Sequence, residues 1–83
     1  MKFGGLFLFD ELEHIGKWKE QNYRGYIEVW RKGKKIVVVE PYEHGEWEAW
    51  YGNEETGVWE SIAVGKYDEV KKEAIGFMKA HQN

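Results

Sequence analysis

Cysteine is absent from the 83-residue sequence, which excludes disulfides, thiolate zinc sites and cysteine nucleophiles. Stability must then come from packing alone, in a chain short enough to be marginal. Proline occurs once, at Pro41, and no interdomain linker, repeat or low-complexity tract is visible. Long apolar runs are missing too. The run Phe3-Gly4-Gly5-Leu6-Phe7-Leu8-Phe9 stops at Asp10-Glu11, too short to span a bilayer and followed by no small-residue cleavage site. The expected setting is soluble and cytoplasmic, with no membrane partner.

Basic residues are missing from one long stretch. Residues 36–65 contain no Lys or Arg but seven Glu, at 40, 43, 46, 48, 54, 55 and 60. Residues 24–35 are the reverse, with Arg24, Arg31, Lys32, Lys34 and Lys35 against Glu28. Such segregation steers charged partners but does not specify a fold. If the two patches face each other across adjacent strands, each pair contributes only about 0.2–1 kcal/mol.

What the chain has in excess is aromatic: 17% Phe, Tyr and Trp, including five Trp. Residues 23–31 alternate, Ile27 and Val29 on one side, Tyr26, Glu28 and Trp30 on the other. Lys32-Gly33-Lys34 is a turn signal, and Ile36-Val37-Val38-Val39-Glu40 follows at hairpin distance. Pro41 lacks a backbone donor and should end that strand. Tyr42-Glu43-His44-Gly45 turns the chain into Glu46 to Tyr51, with Trp47, Ala49 and Tyr51 apolar against Glu46, Glu48 and Trp50. Gly52 to Gly57 reads as a loop, and Val58 to Val64 as a strand setting Val58, Ile62 and Val64 against Trp59, Ser61 and Ala63.

The period then changes. Val70, Ala74, Phe77, Met78 and His81 form one helical stripe, with Asp68 as expected N-cap. Residues 1–22 hold a short strand at Leu6 to Phe9, then an acidic helix start at Asp10 to Glu13 that Gly16 would stop. The expected fold class is α+β in two layers. An antiparallel meander of four to five strands carries a C-terminal amphipathic helix on one face. Residues 1–83 form one domain, divided into 1–22, 23–65 and a helix over 67–81.

No catalytic residue, metal ligand set or cofactor is assigned. Glu43-His44-Gly45-Glu46 places carboxylates beside an imidazole, but no second His follows at ligand spacing, and His14 and His81 stand apart. The Gly pairs match no phosphate loop.

Large rings on a nominally polar side imply either a second buried face or a binding surface. A non-enzymatic interaction or regulatory domain is the leading expectation, using Tyr26, Trp30, Trp50, Glu46 and Glu48 to bind a protein partner with a basic surface, or a second copy of itself. The alternative is a nucleic-acid-binding sheet, with Arg24, Arg31, Lys32, Lys34 and Lys35 on phosphates and rings stacking on bases. The order of strands followed by a helix resembles in outline the arm-binding domains of phage-type integrases and the sheet-plus-helix antitoxins of the HicB kind. No residue motif carries over from either. The acidity of residues 36–65 opposes phosphate binding.

Overall fold

The computed structural model describes residues 14–24 and 27–83. The expected strand at Leu6 to Phe9, the acidic helix start and Tyr26 lie outside the described residues. So does the suggestion that Phe7 and Phe9 cover a second sheet face.

Among the described residues six strands lie side by side in chain order, each antiparallel to the next. They are β1 (His14–Ile15), β2 (Trp18–Arg24), β3 (Ile27–Lys32), β4 (Lys35–Pro41), β5 (Trp47–Asn53) and β6 (Val58–Gly65). A helix, α1 (Tyr67–Ala80), follows. The α+β class and meander hold, with six strands where four to five were expected. The addition is the β1–β2 hairpin, in which Ile15 pairs with Trp18 around Gly16 and Lys17. Gly16 therefore turns a hairpin and does not stop a helix. The run 23–31 is also divided, because Arg24 ends β2 and already pairs with Ile27 of β3. Lys32 pairs with Lys35, leaving Gly33 and Lys34 as a two-residue loop. Gly33 takes φ +62 there, a backbone state that residues with a Cβ adopt only with strain.

The helix lies on one face and buries Val70, Ala74 and Met78. Beneath it are Trp18, Trp30, Val37, Val39 and Ala49, all at 0% exposure. Trp30 is thus core, which corrects its expected place on a surface beside Trp50. The misreading has a physical source. β3 is apolar at both parities, with Val29 on one side and Trp30 on the other, so alternation alone cannot say which side meets the helix. The register decides: Trp30 pairs with Val37, and Val37 with Tyr51, all on the helix side.

Polar contacts tie the helix down at both ends. At its start, the Tyr67 hydroxyl donates to Glu28 Oε2, and Lys71 Nζ lies 3.0 Å from Glu28 Oε1. The Tyr67 ring meets Trp47 edge-on at 4.8 Å. Past its end, Trp18 Nε1 donates to the His81 carbonyl at 2.9 Å. Gln82 accepts from Lys17 N–H at 2.6 Å and donates to the Ile15 and Met78 carbonyls. The helix therefore crosses the sheet from the end of β6 to the β1–β2 turn. Asp68 lies inside its first turn and is not the cap, a position held by Lys66 without a side-chain hydrogen bond. The acids Asp68 and Glu69 still suit the positive helix start. Among the described residues no helix is long and apolar enough to cross a membrane.

Candidate functional site

Among the described elements only the helix packs on the sheet, so the opposite side is the open one, and the register determines what it presents. One row runs Lys19, Arg31, Ile36, Gly52, Trp59 across β2 to β6. The next runs Gln21, Val29, Val38, Trp50, Ser61. A third holds Glu40, Glu48 and Val64. Aliphatic and indole groups therefore occupy the centre, basic groups one corner and carboxylates the opposite margin.

Strand β6 shows how this arrangement comes about. Ala49 pairs with Ala63 but Trp50 pairs with Ser61, so Ile62 is one residue extra. This bulge lets both Ile62 and Ala63 pack against the core. It also puts Trp59, Ser61 and Val64 on the same open side, where a simple alternation would have separated Val64 from the other two. Trp59 is 51% exposed and Val64 48%.

Gly52 governs where the Trp59 ring lies. A Cβ at Gly52 would sit 2.6 Å from the Trp59 ring carbon Cζ3, so the indole lies directly over the bare backbone of β5. Glycine opposite an aromatic residue in this way lets the ring shield a backbone that has no side chain of its own. Alternation groups Trp59 with Ser61 and Ala63 but does not say which side of the sheet that group faces. The cue to its position is Gly52, which interrupts an otherwise aromatic strand directly across from it.

Two shallow depressions adjoin on this face. One, of about 380 Å³, is lined by Val38, Glu40, Trp50 and Trp59. The other, of about 420 Å³, is lined by Gln21, Ile27, Val29, Arg31, Ile36, Val38 and Glu40. Val38 and Glu40 belong to both. Glu48 is 7% exposed, and its Oε2 accepts a hydrogen bond from the Ser61 hydroxyl at 2.8 Å.

Of the residues expected at a partner surface, the structure brings together Trp50 and Glu48. Glu46 stands exposed in the β4–β5 turn, where its N–H donates to the Glu43 carbonyl at 2.8 Å. Trp30 is beneath the helix. Sequence reasoning missed Ile36, Val38, Glu40 and Trp59 as members of this face. The run Ile36 to Val39 is apolar at every position, so it carries no signal for which two face outward.

The basic set does not gather on one surface. Arg31 is on the open side but donates two hydrogen bonds to Glu54, at 2.9 and 3.2 Å. That contact, first through its hydrogen bonds and then through charge, holds the Glu54 carboxyl below its ordinary range. Lys32 is on the helix side, its Nζ 2.6 Å from the Asn83 carbonyl and 5.4 Å from the Trp18 ring. Partial desolvation, then Lys35 and Lys17, lower its pKa. Lys35 shares that side, Lys34 is in the loop, and the Arg24 side chain lies outside the described residues. His44 occupies the β4–β5 turn with φ 52. Among the described residues no three His, Asp or Glu are placed to hold a metal ion.

No protein-family model, curated protein or solved structure matches the chain. The functional reading rests on the geometry of the open face.

Proposed function

We propose that this chain is a small non-enzymatic interaction domain whose open sheet face, centred on Val38, Trp50 and Trp59, binds a protein partner bearing basic groups. The observation that carries this reading is an apolar floor with a half-exposed indole, bounded by Glu40 and Glu48, on the side of the sheet away from the helix. Indoles and aliphatic groups supply contact area at low ordering cost. The carboxylates at the margin favour a positively charged partner and oppose a negatively charged one.

The nucleic-acid alternative draws less support from the same face. Arg31 is already paired with Glu54, and Lys32 is engaged on the far side. The rings stand beside carboxylates, where a phosphate chain would be repelled.

Acrylamide quenching of indole fluorescence, read together with mass in solution, tests the proposal. In the monomer a quenchable fraction should be present and should fall in Trp50→Phe/Trp59→Phe to the part that half-buried Trp47 supplies. An unquenchable emission in a monomeric chain would mean that this face is not available to a partner, and the proposal would fall.

A further inference from the structure

Resting on that reading, we infer that the depression between Trp59, Trp50, Val38 and Glu40 is a subsite for one organic cation, the guanidinium or ammonium end of an Arg or Lys side chain on the partner. Three observations converge. Two indoles line one small depression, and an aromatic face attracts a cation through its quadrupole, Trp most strongly of the three ring types. Glu40 completes the lining, and among the described residues its carboxylate has no hydrogen-bond or ion-pair partner. Glu48, its cross-strand neighbour, adds a second carboxylate at the same margin.

The surroundings leave this charge uncompensated. Residues 36–65 contain no Lys or Arg, and Arg31, the basic group in the adjoining depression, is committed to Glu54. The Trp59 ring is held over Gly52, so one wall of the subsite is set before a ligand arrives. A neutral apolar side chain would satisfy the indoles but leave Glu40 desolvated without a partner. A phosphate would meet the Glu40 carboxylate, with the buried charge of Glu48 beside it. An alkyl stem ending in a cation suits all of the lining groups, the stem on Val38 and the charge between ring and carboxylate.

Nitrogen-15 NMR of the full chain, following the five indole N–H resonances, separates the outcomes. The probes are a short Gly/Arg peptide and its counterpart with citrulline, which keeps the shape of Arg without the charge. The Arg peptide should shift the Trp50 and Trp59 resonances saturably while Trp18 and Trp30 stay fixed, and the citrulline peptide should not. Trp59→Leu should weaken binding about tenfold, and Glu40→Gln, which alters no packing, about threefold. Equal shifts with both peptides would overturn the cation subsite and leave the interaction face standing. Shifts of the same two indoles with protein concentration, and with neither peptide, would overturn it in favour of a second copy. Unresponsive indoles under every condition would overturn both the subsite and the face.

Discussion

At the scale of the residue, the five Trp divide by what their rings and N–H groups touch. Trp18 and Trp30 are both fully buried, and truncating either to Ala should cost about 3–5 kcal/mol. In a domain this small that approaches the whole of its stability. Their indole nitrogens differ. Trp18 Nε1 donates to the His81 carbonyl, whereas Trp30 Nε1 has no acceptor among the described residues. Replacing Trp by Phe removes a satisfied donor in the first case and an unsatisfied one in the second. Urea unfolding should therefore show Trp18→Phe to be more damaging than Trp30→Phe, by about 1 kcal/mol. Equal midpoints would mean that the contact at the helix end contributes nothing. Trp59→Ala, at a half-exposed position, should cost less than either truncation in the core. Tyr67 supplies a pH-dependent term. Burial first, and then its hydrogen bond to Glu28, raises the phenol pKa above its ordinary value of 10.0. The folded state favours the neutral phenol, so this contribution is complete below the unfolded pKa and is lost as pH rises through the folded one. Ultraviolet titration of phenolate should reveal a late-ionising tyrosine that disappears in Tyr67→Phe.

At the scale of the element, what was legible in the sequence tracks how many faces each element buries. α1 has one apolar stripe, and Val70, Ala74 and Met78 were readable as its buried side. β5 alternates cleanly, and Trp47, Ala49 and Tyr51 do face the helix. β3 and β4 carry apolar residues at both parities, so their existence was readable but their orientation was not. β6 misleads for another reason, because its bulge at Ile62 reverses parity within one strand. The first hairpin was hidden by its polar second strand, Trp18–Arg24, whose composition resembles a loop. Its attachment depends on a residue no pattern would select. The side chain of Gln82 bonds to Lys17, Ile15 and Met78 together, joining the hairpin turn to the end of the helix. Gln82→Ala should accelerate amide exchange in β1 and the start of β2 by about tenfold while leaving β4 and β5 unchanged. Uniform acceleration across all strands would instead indicate that the hairpin opens only with the whole domain.

At the scale of the whole molecule, the sheet has two unlike sides, and ionic strength distinguishes what the open side binds. Capture of a basic partner beside Glu40 draws on Coulomb attraction to a partly solvated carboxylate, which salt screens over a Debye length of about 8–10 Å. Association of two copies through Val38, Trp50 and Trp59 would draw on apolar burial, which a kosmotropic salt strengthens. Raising sodium sulfate from about 0.05 M to about 0.5 M ionic strength should therefore weaken the affinity for an Arg-bearing peptide, on the order of tenfold. The same change would tighten a homodimer. Glu54 provides an internal reference for the screening. Its carboxyl is held low by the exposed contact with Arg31, so its stabilising effect is present above the unfolded pKa and is lost as pH falls through the lowered folded one. Salt should shrink that acid-range effect in parallel with the peptide affinity. Were peptide binding to grow with sulfate while the Glu54 effect shrank, the open face would be acting through its apolar floor alone, and its acidic margin would serve no purpose in recognition.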